Sequence, residues 1–508
     1  MSTPQATDTS DEGFVAEIHT VAGTGSPGRE GDGGPAVSAK LNKPLGVVVD
    51  AVGTVYFSDY HNHQIRKITT DGKISTVAGD GKGAYRGDNG PAASAQLFHP
   101  RELAVDGAGN LYVADGNNHR IRKITPDGAI TTVAGTNGNG FSGDGGPATS
   151  ARLDLPIGVA VDSTGALYIA DHRNHRIRKV DTDGKINTIA GHKGAGFTGD
   201  GSPAASAQLS GPHGVTVDSA GNLYIADTGN QRIRKIAPDG TITTVAGSNG
   251  YGFKGDDGPA TSAQLYTPVR VALDSTGALY IVDSSNHRIR KVAPDGTIST
   301  VAGSTGKGIA GDGGPAASAQ LQNPYGLAVD CVDTLYIADH ANHRIRKVTS
   351  QKMAGLPESG TVVSWANVRS RLRMGVYRES LKDGAPVHQS LPTPRPHQHW
   401  RLIPAGQADG DILYRIENTR SGKVLEVADA RETTGAPVTQ YAYGGTEAHH
   451  QHWKLIPAGP AGDTPRTYEI ANHKSGLLLH TDTNAPTALT QHDANGDHRN
   501  RRWQLLPV

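Results

Sequence analysis

Residues 167–180 read LYIADHRNHRIRKV, and a closely related segment recurs every 56 residues through the first part of the chain. The tripeptide Val-Ala-Gly keeps the same interval, beginning at Val21, Val77, Val133, Val245 and Val301, with Ile189 heading the remaining copy. The central asparagine returns as Asn62, Asn118, Asn174, Asn230, Asn286 and Asn342. A fixed period of this length indicates a repeat protein, with six copies between about residues 15 and 349.

Each copy contains four short segments of strand character, which in the third copy are residues 158–162, 167–171, 176–180 and 185–190. Four antiparallel strands repeated around a channel are the pattern of propeller blades. The sixth copy has no fourth strand after residues 344–348, whereas residues 18–23 form a fourth strand that precedes the first copy. We therefore predict that the N-terminal strand completes the last blade and closes the ring, which removes exposed sheet edges.

The strand Leu-Tyr-Ile-Ala-Asp, as at residues 223–227, together with the Asn-His-Arg-Ile-Arg-Lys segment that follows it, resembles the NHL repeat family. All six copies carry this combination or a close variant of it. The resemblance implies a six-bladed β-propeller. We assign the propeller to residues 14–350, behind a disordered tail at residues 1–13.

A second, shorter repeat follows a linker at residues 351–360. Its three copies are marked by Trp400, Trp453 and Trp503, each preceded by a polar pair and followed two positions later by an apolar residue. Such spacing suits a strand whose aromatic side chain enters a shared core. These Gln-x-Trp-type motifs resemble the ricin-type β-trefoil lectins. We therefore predict an all-β chain with a trefoil at residues 361–508.

Composition limits the function classes. The chain carries 49 basic and 49 acidic side chains, so no overall field draws it toward nucleic acid or an anionic membrane. Cys331 is the single cysteine, which excludes an intramolecular disulfide and a multi-cysteine zinc site. The first residues lack the basic and apolar run of a secretory signal. We expect a cytoplasmic monomer with no metal or cofactor, whose partners are neither nucleic acid nor a membrane.

Features shared by all six copies are interpreted as structural. The Gly-Asp-x-x-Pro-Ala loops, as around Asp144, predict a capped one-turn helix between blades rather than a ligand loop. The third strands carry basic residues such as Arg176 and Arg178, and acids such as Asp171 recur beside them. We expect these charges to pair, so the basic ring does not indicate RNA binding.

Function is expected where the copies differ, at the residues after the loop proline and after the second-strand aspartate. In a propeller these positions reach one face, around the channel mouth. The polar and titratable residues there are Arg101, Glu102, His172, His213, Arg270, Tyr325 and His340. They predict a small-ligand site. The alternative for Glu102 and Arg270, which belong to opposite blades, is that they only plug the channel by pairing.

The middle lobe of the trefoil comes closest to the sugar-binding pattern of the ricin-type family. That resemblance implies an acid at Glu426, an aromatic platform at Tyr441, and a polar pair at His450 and Gln451. A sugar stacks its C–H face on a ring, while carboxylate and amide groups bind its hydroxyls. Glu and His stand where the family usually has Asp and Asn.

Two function hypotheses follow. The first is a binding protein, with a carbohydrate-binding trefoil and a propeller that takes a protein, peptide or small ligand on its loop face. The alternative is a hydrolase or lyase that uses Arg101, Glu102, His213 and Tyr325, with the trefoil as a targeting module. Related amidating lyases hold a metal with several histidines, whereas only His213 occupies the matching post-proline position here.

Overall fold

The computed structural model describes residues 16–349 except 249, 275, 331 and 332. It also describes residues 362–507 except 368–371, 393–394, 409–410, 435, 446–447, 458–466, 476, 481–488 and 493–501. The described regular structure consists of β-strands and single-turn 3-10 helices, which confirms the all-β prediction. The predicted tail at residues 1–13 and the predicted linker lie outside the described residues. No described helix is long and apolar enough to cross a bilayer.

Six sheets, each with four main strands, form the propeller. From the channel outward, blade 1 contains Pro44–Val49, Val55–Asp59, Gln64–Ile68 and Ile74–Ala78; blade 2 contains Pro100–Val105, Leu111–Asp115, Arg120–Ile124 and Ala129–Ala134; blade 3 contains Pro156–Val161, Leu167–Asp171, Arg176–Val180 and Ile186–Ala190. Blade 4 contains Val215–Val217, Leu223–Asp227, Arg232–Ile236 and Thr241–Ala246; blade 5 contains Pro268–Leu273, Leu279–Asp283, Arg288–Val292 and Thr297–Ala302; blade 6 contains Leu327–Val329, Leu335–Asp339, Arg344–Thr349 and Glu17–Ala22.

Each blade adds two 3-10 helices. One follows the loop proline, in Ala36–Ser38, Ala92–Ser94, Ala148–Ser150, Ala204–Ser206, Ala260–Ser262 and Ala316–Ser318. The other follows the second strand, in Tyr60–Asn62, Gly116–Asn118, His172–Asn174, Thr228–Asn230, Ser284–Asn286 and His340–Asn342. Two-residue strands at Gly90–Pro91, Ser202–Pro203, Gly258–Pro259 and Gly314–Pro315 extend four of the sheets at their outer edge.

The N-terminal strand closes the ring, as predicted. Glu17–Ala22 pairs antiparallel with Arg344–Thr349, placing Ile18 opposite Val348 and Thr20 opposite Arg346. Ile18 is fully buried in the core of the last blade, where it packs with residues from blades 5 and 6. The two ends of the propeller are therefore joined by one strand pair.

The repeated charges form triads between strands and loops, in each of which the arginine and the second-strand aspartate are buried. In blade 3 the Arg178 guanidinium, which is fully buried, lies 2.7 Å from the Asp144 carboxylate and 3.4 Å from that of Asp171. Asn174 donates to Asp171 over 2.8 Å and so holds the second acid in place. The equivalent arginines, all fully buried, are Arg66, Arg122, Arg178, Arg234, Arg290 and Arg346.

These triads correct one detail of the sequence interpretation. The loop helices form as predicted, but their N-caps are prolines such as Pro147, and the loop aspartate makes no capping bond there. Asp144 instead binds Arg178, a residue 34 positions later. The predicted pairing of acids with bases is confirmed, and the Arg178–Asp171 pair lies in the interior, whereas Asp144 remains exposed.

The C-terminal part is a β-trefoil. Its strands are Val362–Asn367, Arg373–Val376, Ala385–Ser390, Trp400–Ala408, Asp411–Asn418, Val424–Val427, Val438–Tyr441, Trp453–Pro457, Thr467–Asn472, Leu478–His480, Thr490–His492 and Arg502–Pro507. Its 3-10 helices are Tyr377–Glu379, Pro396–Gln398, Ala428–Ala430 and His449–Gln451.

The three repeat tryptophans fill the core of the trefoil, as predicted. Trp400, Trp453 and Trp503 are fully buried, and each indole N–H donates to a backbone carbonyl, at 3.0, 2.9 and 3.2 Å respectively. A buried indole N–H needs such a partner, and each lobe supplies it from an equivalent backbone carbonyl.

Candidate functional sites

Strand register brings the variable positions of the propeller together. In blade 3 the inner-strand Pro156 stands opposite the second-strand Asp171, and Pro100 stands opposite Asp115 in blade 2. The residues that follow the proline and the aspartate therefore lie at the same end of the sheet. Because all blades share this register, those side chains form a rim around one mouth of the channel.

Four of the predicted residues form a chain of rings along that rim. The His172 and His213 rings meet edge to face, with centroids 4.7 Å apart. The ring of Tyr325 lies 6.4 Å from that of His213 and 5.1 Å from that of His340. The structure thus places residues from blades 3, 4 and 6 in one aromatic surface.

Burial lowers the pKa of these imidazoles. The pKa of His213 lies well below its usual value, and that of His340 is lowered to about 4. His172 and His340 bind the proline carbonyls of the next blade through Nδ1, at 3.3 Å from Pro212 and 3.1 Å from Pro44. At neutral pH the rings are uncharged and act as hydrogen-bonding groups.

Arg101 reaches over a gap in the rim. Its guanidinium lies 5.4 Å from the centroid of the Tyr60 ring in blade 1. Gly116 occupies the position where Tyr60, His172 and His340 stand in other blades, and a Cβ there would come within 2.6 Å of the Arg101 Nε. The absence of a side chain at Gly116 therefore allows Arg101 to take this path.

Glu102 and Arg270 form a buried pair rather than part of the open rim. The Glu102 carboxylate lies 3.4 Å from the Arg270 Nε, and Arg270 also donates to the Val215 carbonyl over 3.0 Å. Burial raises the pKa of Glu102 to about 7, against the opposing charge of Arg270. This geometry is the channel plug that the sequence left open as the alternative.

The comparison of the six repeat copies did not identify His99, whose ring stacks on that of Tyr60 with centroids 4.6 Å apart. Its backbone takes the left-handed conformation, with φ of 52°, and its amide donates to the His63 Nδ1. The same comparison of copies, applied one position before the loop proline, would have found it, since Lys43 and Leu155 are its counterparts in blades 1 and 3.

The described residues contain no group of three or more His, Cys, Asp or Glu side chains placed to hold a metal ion. The histidines of the rim that bind carbonyls use their Nδ1 atoms for that purpose. The rim is therefore suited to stacking and hydrogen bonding.

In the trefoil, three of the four predicted residues come into contact. The Glu426 carboxylate accepts a hydrogen bond from the Gln451 amide at 3.0 Å and lies 3.5 Å from the His450 Nε2. Thr439 donates to its other oxygen over 3.3 Å. The acid and the polar pair thus form one cluster.

Tyr441 completes the site from the neighbouring strand. Val424 stands opposite Tyr441 and Glu426 opposite Thr439, so the tyrosine and the acid emerge on the same face of this strand pair. The Tyr441 side chain is 45% exposed, which leaves its ring available for stacking. The exposed ring and the acid therefore lie on one face of this strand pair, with His450 and Gln451 beside the acid.

Gln451 also holds the loop beside this cluster. Its side chain accepts a hydrogen bond from the Gly444 amide and donates to the Ala442 carbonyl, at 2.8 and 3.0 Å. Gln398 has the equivalent place in the first lobe, where it donates to Ser390 and to the Leu391 carbonyl, both at 2.8 Å. The repeated glutamine is therefore structural in each of these lobes, and in the middle lobe it also contacts the acid.

Comparison with known families agrees with both domains. The Teneurin NHL domain matches residues 14–86, 80–142, 137–198, 194–254 and 250–310. The ricin-type beta-trefoil lectin domain-like family matches residues 353–441.

Among curated proteins, Teneurin-1 of Gallus gallus is 30% identical over 359 residues, which cover 63% of this chain and 13% of that protein. Teneurin-m of Drosophila melanogaster is 29% identical over 439 residues, 78% of this chain and 15% of that protein. The chain thus spans only a small part of the length of these relatives. A crystal structure of a protein of unknown function from Bacteroides thetaiotaomicron matches 66% of this chain and 76% of its own, with TM-score 0.51 and 24% identity, and supports the fold alone.

Proposed function

Because the chain belongs to the Teneurin NHL domain family and also carries a ricin-type β-trefoil, we propose that it is a non-enzymatic binding protein. Its trefoil docks on a glycan, and the loop face of its propeller grips a second partner, a protein, peptide or small ligand. A binding or interaction role fits both families. The glycan and the second partner are the specific parts of this proposal.

The glycan half rests on the cluster of Glu426, His450 and Gln451, whose acid shares a face of its strand pair with the exposed Tyr441. The carboxylate is 7% exposed and fixed by Gln451, so it is preorganised to accept hydrogen bonds from sugar hydroxyls. The Tyr441 ring offers a flat apolar face to the C–H side of a pyranose. Acid and ring on one face are the two contacts that a sugar requires.

Glycan-array binding tests this half. The full chain is expected to bind at least one glycan class, and Tyr441→Ala is expected to lose that binding while its melting temperature stays unchanged. Tyr441→Phe is the matched control, because it keeps the stacking face and removes only the hydroxyl. If the chain binds no glycan on the array, the lectin half of the proposal is wrong.

The propeller half rests on the rim that His172, His213, Tyr325 and His340 form. Peptide-display selection against the full chain is expected to enrich sequences whose binding is lost in Tyr325→Ala. Ser163→Ala is the control, since Ser163 is exposed in the turn at the opposite end of the blade 3 strands. If Tyr325→Ala binds the selected peptides as the parent does, the rim is not the binding surface.

One observation favours the alternative hydrolase or lyase. Burial raises the pKa of Glu102 to about 7, a range suited to general acid–base catalysis. The carboxylate is however only 1% exposed and tied to Arg270, so a substrate would have to displace that pair. Turnover in a hydrolase and lyase screen that disappears in His213→Ala would establish the enzyme in place of the binding protein.

A further inference from the structure

Arg101 is partly buried and, unlike the six arginines of the triads, has no acid beside it among the described residues. Arg178 and its five counterparts each lie between two aspartates. The Arg101 Nε is buried and has no hydrogen-bond partner among the described residues. Leaving a partly buried cation unpaired costs free energy, so this group is poised for an anion.

Among the residues that the structure describes, the rim around Arg101 provides no free anion. Glu102, the next residue, is held by Arg270, and Asp154 lies 3.8 Å from the exposed Arg173 and 3.6 Å from His119. The guanidinium interacts with the rings of Tyr60 and Tyr325 and with the uncharged imidazole of His213. A second cation, Arg173, also acts on it and is paired with Asp154. The Nδ1 of His213 is also buried and has no partner in the part of the chain that the structure covers.

The sequence of blade 2 is built to admit Arg101. Three blades use the residue after the second-strand aspartate to bind the proline carbonyl of the next blade, as Thr228 binds Pro268 over 2.6 Å. Blade 2 has Gly116 there, and a Cβ on it would collide with Arg101 and lie 3.2 Å from the Pro156 carbonyl. Only in blade 2, among the described blades, does a glycine replace the rim side chain and leave its space to an arginine.

We infer that Arg101 is an anion-binding residue at the channel mouth and that it takes a carboxylate of the propeller's ligand, whose apolar part packs on Tyr60 and Tyr325. One unpaired guanidinium matches the single charge of a carboxylate, whereas a phosphate would call for further free cations that Arg270 and Arg173 do not provide. The inference rests on the proposed use of this mouth as a binding surface.

Calorimetric titration of the full chain tests the inference with four probes. N-acetyl-phenylalanine represents a peptide C-terminus, benzoate a free small acid, N-acetyl-phenylalanine amide the neutral counterpart, and phenyl phosphate the competing anion. We expect the two carboxylates to bind with Kd at or below about 10 mM. N-acetyl-phenylalanine should bind at least tenfold more tightly than its amide, because charge-assisted hydrogen bonds are the stronger ones. Tighter binding of N-acetyl-phenylalanine than of benzoate assigns the carboxylate to a peptide terminus, and the reverse assigns it to a small acid.

Two variants remove the anion site by different routes. Arg101→Gln deletes the charge, and Gly116→Ala displaces Arg101 while keeping it; each is expected to weaken carboxylate binding about tenfold or more. Lys254→Gln, which removes an exposed cation in the loop after the outer strand of blade 4, is the control and should bind within about twofold of the parent. Gly116→Ala keeps the test decisive if Arg101→Gln does not fold.

Equal binding of the acid and its amide, unchanged binding in both variants, or no carboxylate binding at about 10 mM would overturn the inference. Phenyl phosphate binding more tightly than benzoate would overturn the assignment to a carboxylate. Glycan binding measured on the same preparation separates the two proposals, because a trefoil that binds while the mouth does not leaves the lectin half standing.

Discussion

The Glu102 carboxylate lies 3.4 Å from the Nε of Arg270, and the two residues join opposite blades across the propeller channel. Neither atom has a hydrogen-bond partner elsewhere in the described residues, so the charges depend on each other. Arg270 also lines a cavity of about 530 Å³ whose walls are inner-strand residues such as Val161 and Val217.

This pair predicts a pH dependence of stability. Burial raises the pKa of Glu102 from 4.5 to about 7 in the folded chain, so folding favours the protonated acid. Its contribution to stability is complete below about pH 4.5 and is lost as the pH rises toward 7. The melting temperature of the parent, measured relative to that of Glu102→Gln, should therefore fall as the pH rises over this interval. A difference that stays constant from pH 4 to pH 8 would contradict a Glu102 pKa raised by burial.

The triads predict a large loss of stability when one partner is removed. Arg178→Met leaves the fully buried Asp171 uncompensated and is expected to cost about 3–5 kcal/mol in the free energy of unfolding. Arg176→Met is the matched control on the same strand, because Arg176 is partly exposed over the Phe141 ring, 3.9 Å from its centroid. Denaturant unfolding measures the free energy of unfolding of both variants. Equal losses would contradict a particular contribution of the triad to stability.

The architecture could be predicted because its signals are periodic. The 56-residue interval, the fourth strand missing after residue 348 and the spare strand at residues 18–23 specify both the blade count and the closure. The partner of Asp144 could not be predicted in the same way. An aspartate before a loop proline has the pattern of a helix cap, and its contact with Arg178 exists only after the loop folds back on the third strand.

The location of the candidate sites could be predicted from the sequence, but the pairing of their side chains could not. Differences between copies located the rim, since the shared register sends equivalent positions to the same face. They could not decide whether Glu102 faces a ligand or Arg270, because that depends on side-chain conformation and channel width. They also did not reveal that Gly116 matters through what it lacks, since a glycine carries no chemistry of its own.

Closure by the first strand predicts a sharp contrast between neighbouring residues. Ile18 is fully buried in the core between blades 5 and 6, whereas His19 faces solvent. Ile18→Asp places a charge in that core and is expected to unfold the propeller or lower its melting temperature strongly. His19→Asp should leave the melting temperature nearly unchanged. Thermal unfolding followed by circular dichroism distinguishes them, and a stable Ile18→Asp variant would contradict closure by this strand.

Gln451 and Gln398, which hold equivalent loops in two lobes of the trefoil, should contribute alike to stability but differently to glycan binding. Gln451→Ala leaves the Gly444 amide and the Ala442 carbonyl without their partner, and Gln398→Ala does the same to the Leu391 carbonyl. Each loss should cost about 1–3 kcal/mol of stability. Only Gln451 also fixes the Glu426 carboxylate, so glycan binding should fall in Gln451→Ala and persist in Gln398→Ala. Unfolding curves and glycan binding measured together check this, and loss of binding in Gln398→Ala alone would move the sugar site from the middle lobe to the first.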